Sequence, residues 1–362
     1  MLKDEYEGTQ FRYDKEMNLQ KVTDKIQHPD VIERLVYQDN IALSDMYLLR
    51  AVMFFRVCTA RMVAEWIVYF RTKYGEEECK RLAMPTPDYN ILAQKDGIIP
   101  DKFVVDVEDR LKKLARKNVL LHEKYMNSSK GERYELNFFL ANSYTFRLTM
   151  IRFDEDADIH YIGNYSLLPA HRMLGYMHAG SVTIRAFMHC RDAEISRERG
   201  VIYGSQKELY VPDMMVERVV DQRTWCTMIE AIHLSHDEKE ITKKELGDRV
   251  REKIRKMKDL LRHDNYMYKK YGESANKRYR IIICTDDLNA LAVFLKVAAI
   301  EQCAEIFSER VFAVSDAALQ RNGYRMRDAC LVLTASDAGD GTKKLDVKKL
   351  TAKVLEKNPW MP

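Results

Sequence analysis

The sequence predicts a multidomain α/β protein, and three observations carry that reading. The second half alternates β-branched runs, of which Tyr279–Cys284 (YRIIIC) is the clearest, with apolar stripes at helical spacing. The first half shows three helical patterns followed by a strand, a turn-rich loop and a second strand. A chain of 362 residues has room for two or three cores. Its 46% apolar and 31% charged content belongs to a folded globular chain rather than a disordered one.

Residues 1–43 read as a polar arm; residues 1–40 hold nine acidic and six basic side chains. A first domain is expected over 44–140. Asp45–Val57 repeats Met46, Leu49, Val52, Met53 and Val57 at helical spacing, and Thr59 is an N-cap for a second helix reaching about Lys73. Tyr74–Pro100, with Gly75, Pro85, Pro87, Gly97 and Pro100, reads as an irregular insert. Asp101 opens a third helix with Val104, Val107, Leu111 and Leu114 on one face. Arg110, Lys112, Lys113, Arg116 and Lys117 occupy its other faces. Asn118 suits a left-handed cap. Val119–Tyr125 and Glu132–Phe138 then flank the loop Met126–Gly131 as a hairpin. Three helices followed by a hairpin is the winged helix-turn-helix order, in which the third helix enters the DNA major groove. Lys130 and Arg133, beside Ser128 and Ser129 at the hairpin tip, suit phosphate contact. The same module can instead dock a protein.

A second domain is expected over 141–337. Phe146–Phe153 reads as a strand and Asp154–Asp158 as an acidic turn. Pro169–Asp192 is helical, with Met173, Leu174, Met177 and Val182 inward and a polar continuation carrying Glu194. Leu209–Val219 and Thr224–Ser235 form a hairpin about Asp221 and Gln222. Facing positions then sum to 443, and Asp213 faces Glu230 with Cβ atoms roughly 5 Å apart. Two carboxylates so close in apolar strands require a cation or a shared proton. That is the constellation of a magnesium site for phosphodiester chemistry. Glu240–Lys270 is a long helix with Val250, Ile254, Met257 and Leu261 as its buried stripe. Residues 241–280 hold fourteen Lys and Arg against six acids, and Lys253, Arg255 and Lys256 there are candidates for phosphate contact. A helix over Leu288–Ile306 and a strand over Arg310–Val314 complete a mixed sheet flanked by helices. Residues 338–362 read as a Gly- and Lys-rich tail.

Several classes are excluded or disfavoured. No apolar run approaches transmembrane length, and the opening MLKDEYEGTQ is not a secretory signal, so the expectation is a cytoplasmic protein without membrane contact. Seven scattered cysteines without a CxxC pair read as reduced thiols rather than a zinc site. There is no Gly-x-Ser-x-Gly element and no Gly-rich phosphate loop.

With a winged helix in front and Pro212-Asp213 and Glu230 on successive strands behind, the chain resembles the replication-relaxation proteins of plasmids and conjugative elements. The resemblance runs from about Ser44 to Ala318. It implies a second domain like the PD-(D/E)xK nucleases, a restriction-endonuclease-like fold. It further implies Asp213 and Glu230 as metal and catalytic residues, Glu194 as a helical acid that joins them, and a magnesium ion as cofactor. In that pattern the position two after the Glu is a lysine that orients or activates water, and here it is Ile232. Lys207, Lys239, Lys253 and Lys256 are the lysines near in sequence that could replace it. The expectation is therefore a DNA-binding accessory protein of plasmid replication or conjugative transfer, with a catalytically degenerate nuclease-like domain. The alternatives are an active magnesium-dependent endonuclease, or an assembly module docking on a relaxase or replication protein. Double-stranded DNA is the expected partner, and a homodimer fits a palindromic site.

Overall fold

The computed structural model describes residues 18–21, 41–81, 99–127, 134–141, 145, 170–197, 199–203, 208–232, 243–271, 277–285, 288–339 and 343–362. The protein is a mixed α/β chain dividing into two compact units, one built on 14–180 with 188–191, the other on 181–187 with 192–362. The strand expected over Phe146–Phe153, the acidic turn at Asp154–Asp158, and Lys130 and Arg133 lie outside the described residues.

In the first unit β1 (Asn18–Lys21) is followed by α1 (Leu43–Phe55), β2 (Val57–Cys58), α2 (Ala60–Tyr74), α3 (Glu76–Arg81), α4 (Asp101–Arg116), β3 (Leu121–Asn127) and β4 (Tyr134–Leu140). The four strands form one antiparallel sheet in the order β1-β3-β4-β2. The arm thus contributes an outer strand, with Asn18 opposite Met126. Local chemistry fixes the helix ends. Thr59 accepts from the Met62 amide at 3.3 Å, and Asn118, at φ 58°, takes the left-handed turn between α4 and the hairpin. Val107, Leu111 and Leu114 of α4 are buried, as are Phe138, Phe139 and Leu140 of β4.

The second unit begins with the last part of α5 (Ala170–Phe187), which ends well short of Asp192. There follow β5 (Ala193–Arg197), the small hairpin β6 (Val201–Tyr203) and β7 (Glu208–Tyr210), and the larger hairpin β8 (Met214–Val220) and β9 (Arg223–Ala231). Next come α6 (Lys243–Tyr271), β10 (Lys277–Cys284), α7 (Leu288–Ile300), α8 (Ala304–Phe307) and β11 (Val311–Val314). The chain closes with α9 (Asp316–Arg321), α10 (Met326–Ala329), β12 (Leu331–Asp337), β13 (Lys343–Lys349) and α11 (Ala352–Glu356). Seven strands form a mixed sheet, β13-β12-β11-β10-β9-β8-β5, parallel only across β9-β10 and β10-β11.

Alternation along the strands sorts the two faces. Met228, Ile232, Ile281, Ile283, Val311 and Ala313 pack with Val250, Ile254, Met257, Leu260 and Leu261 of α6. On the other face Phe312 meets Trp360 edge-on at 5.6 Å. Residues 338–362 differ from the expected tail: β13 pairs with β12 throughout and Trp360 is fully buried. The sequence KKLDVKK alternates, turning Leu345 and Val347 to the sheet while its lysines guard an outer strand. No described helix is long and apolar enough to cross a membrane.

Candidate active site

The β8–β9 hairpin sets the site. Asp221 and Gln222 form its two-residue turn with φ of 51° and 61°, the left-handed pair of a type I′ turn. Met214 pairs with Ile229, a sum of 443, so the register is the expected one and Asp213 stands one residue beyond, opposite Glu230. The first strand is shorter than expected. Tyr210 belongs to β7, and Val211-Pro212 breaks the run before β8 begins, since a proline cannot donate to the ladder.

Asp213 and Glu230 lie on one side of the ribbon and share a lysine. Lys253 Nζ of α6 donates to Glu230 Oε2 at 2.5 Å and is 3.7 Å from Asp213 Oδ2. Tyr210 Oη donates to Glu230 Oε1 at 2.6 Å, and the Ala231 amide donates to Asp213 Oδ2 at 2.9 Å. The stripe of α6 holds Lys253 there: it follows Val250 by three residues and precedes Met257 by four, so it shares their side of the helix. Ile232 is buried in the same cluster as Met228, on the Glu230 face, as alternation requires. Two residues after Glu230 the strand carries no amine, and the amine beside the two acids is that of Lys253 on the helix.

The Glu230 side chain is 1% exposed, while that of Lys253 is 43% exposed. Burial pushes the Glu230 carboxyl up to about 7 against the opposing pull of Lys253, and the Asp213 charge pushes it further. Burial and the Glu230 charge also hold the Tyr210 hydroxyl well above its ordinary value, so it remains a donor. The two carboxylates are oxygen donors suited to a hard divalent cation, which keeps several waters and needs few protein ligands. Asp213 is half-buried, and its Oδ1 takes no hydrogen bond from the described residues, leaving an oxygen for such an ion. Among the described residues no three His, Cys, Asp or Glu side chains gather as a metal-ligating group.

Other expected site residues fall elsewhere. Glu194 is a correction: it lies on β5, not on a helix, is exposed, and stands opposite Glu217. Lys253 is bonded to Glu230 and stands beside Asp213 in this structure. Arg255 pairs with Glu301 at 2.9 Å and Lys256 with Glu252 at 2.9 Å, so both have acidic partners within the fold. On α4, Arg110 ties back to α1 through Asp45 (2.7 Å) and Ser44 (2.6 Å), and Lys112 pairs with Glu108 at 2.7 Å. Lys113, Arg116 and Lys117 are exposed. Sequence reasoning missed Tyr210; Pro212 was the signal that the strand before it ends.

Comparison with protein-family models, curated proteins and solved structures returns no match.

Proposed function

We propose that the chain is a DNA-binding protein of a mobile element, acting in plasmid replication or conjugative transfer, whose second unit is a magnesium-dependent nuclease. The observation that carries the nuclease reading is the Lys253 amine between Asp213 and Glu230. It supplies the cationic group whose absence at Ile232 argued for an inert site. The order α5, β5, β8, β9, α6, β10, with β9 and β10 parallel, supports a PD-(D/E)xK-like core. In the first unit, β2 closing on β4 beside the α4–β3–β4 succession supports a winged helix, with Lys113, Arg116 and Lys117 as its DNA-facing cations.

Asp213 and Glu230 would hold Mg2+. The ion would supply charge neutralisation at the scissile phosphate and acidify a bound water. Lys253 contributes positive charge next to the developing negative charge, and its half-exposed stem lets the amine turn from Glu230 toward substrate. Tyr210 fixes the rotamer of Glu230, while the Ala231 amide fixes Asp213. The test is nicking of supercoiled plasmid with Mg2+ or Mn2+. Lys253→Ala and Asp213→Ala should each lower the rate by roughly a hundredfold or more. Equal rates in the wild type and both variants remove the reading.

A catalytically silent DNA-binding protein is the second reading. It is favoured by Glu230, whose two oxygens are occupied by Tyr210 and Lys253 and which water barely reaches. Salt-sensitive duplex binding without any metal-dependent cleavage would select it.

A further inference from the structure

At the opposite end of β9 from Glu230 lies a cavity of about 610 Å³ bordered by Arg223, Trp225, Arg278, Arg280 and Arg310. Trp225 and Glu230 are five residues apart on one strand, roughly 17 Å, so this is a separate site. Arg278 and Arg280 stand on β10, next to Trp225 and Thr227 of β9, and Arg310 immediately precedes β11. Adjacent strand ends thus bring the guanidinium groups together.

Positive charge is concentrated there, with Lys357 joining the four arginines on the lining. Asp264 of α6, 1% exposed, stands 3.3 Å from Arg278 and 3.5 Å from Arg310. The acids bordering the cavity itself are Asp221 and Glu356, both exposed, and Glu309, which pairs with Lys357 at 2.6 Å. Four arginines therefore border the cavity, and two of them, Arg278 and Arg310, stand against the buried Asp264 carboxylate. Arg280 is 6% exposed and spans the indole of Trp225 at 4.8 Å. Its Nε donates to Asn358 at 2.6 Å and its Nη1 to the Tyr279 carbonyl at 2.8 Å; Nη2 has no hydrogen-bond partner among the described residues. Burial and the neighbouring arginines push this guanidinium down to about 9, a direction that a bound anion would reverse.

We propose that this cavity binds a small, multiply charged phosphate-bearing ligand of the diphosphate class. Planar guanidinium forks match phosphate oxygens two at a time, and several forks around one recess suit adjacent phosphate groups. The recess favours a small ligand over a duplex backbone, since Arg278 and Arg280 are almost wholly withdrawn from the surface. Its volume is that of an ordinary small-molecule site.

The experiment is isothermal titration calorimetry of the full chain with inorganic pyrophosphate, in EDTA, against sodium chloride of matched ionic strength. Saturable binding to one site is expected. It should weaken roughly tenfold or more in Arg223→Gln and in Arg310→Gln, both at partly exposed positions and each checked for an unchanged Tm. Asp213→Asn should bind like the wild type, which separates this site from the nuclease reading. No saturable binding by the wild type overturns the proposal, as does equal binding by both arginine variants. So does tighter competition by a short blunt duplex that the same substitutions abolish, since the cavity would then be part of a nucleic-acid surface.

Discussion

Replacing Glu230 by Gln isolates the cost of a buried charge at the centre of the site. The glutamate carboxyl is lifted from 4.5 to about 7, and its side chain is 1% exposed. A raised carboxyl means that the folded protein holds the proton more tightly than the unfolded chain. Stability is therefore greatest below about 4.5, falls as pH rises toward 7, and is level beyond. At about 1.4 kcal/mol for each pH unit, the loss between pH 4.5 and 7 comes to roughly 3 kcal/mol. Glutamine keeps the shape and cannot ionise. Its own packing and hydrogen-bond changes are nearly independent of pH, so they cancel when the Gln-minus-Glu difference is compared at two pH values.

The assay is Tm of both proteins by scanning calorimetry at pH 5 and pH 8 in EDTA. Relative to pH 5, the variant should gain on the wild type at pH 8 by roughly 5–10 °C in the transition of the second unit. Mg2+ at pH 8 should erase much of that gain by stabilising the wild type alone. A Gln-minus-Glu difference in Tm that is the same at both pH values would refute the reasoning. Glu230 would then be ionised throughout, with Lys253 and Tyr210 fully offsetting its burial.

Three other outcomes follow from the same structure. Mg2+ binding should release a proton below about pH 7 and strengthen as pH rises to that value, read by calorimetry in buffers of different ionisation enthalpy. Asp316→Ala should destabilise the second unit by about 3–5 kcal/mol, seen as a lower Tm, because Asp316 is the carboxylate that faces the wholly buried Arg185 and also accepts from Ser181 at 3.2 Å. Gln222→Gly should raise stability by up to about 1 kcal/mol in a denaturant titration, since φ of 61° strains an L side chain and suits glycine.

The hairpin was legible because a period of two and a two-residue turn leave few registers, and one of them puts both acids together. The third helix was legible from its stripe and from Asn118, whose positive φ ends it. The fate of its cations was not legible, because Arg110 is claimed by Asp45, sixty-five residues away on α1. The tail misled through composition: Gly339 and the lysines around Leu345 look like a solvated end, yet the alternation of β13 is a strand pattern. Residues 18–21 gave no such pattern, and their pairing with β3 depends on a strand a hundred residues later.

Lys253 lies between these cases. Four lysines stood near the acids in sequence, and distance along the chain could not choose among them. The stripe of α6 narrows the choice. Lys253 sits at the edge of the face carrying Val250, Ile254 and Met257, whereas Lys256 points away and pairs with Glu252. The helix is buried through that stripe in one cluster with Met228 and Ile232, Glu230 lies between those two on the same side of β9, and the structure places the Lys253 amine on Glu230. Ile232 is thus part of the surface against which the Lys253-bearing helix packs. Exchanging the two, with Ile232→Lys and Lys253→Ile together, should move the amine back to the strand and retain metal-dependent cleavage better than Lys253→Ile alone. Plasmid nicking by the double variant that is no faster than by the single one would show that the position on the helix, and not merely the charge, is what the site requires.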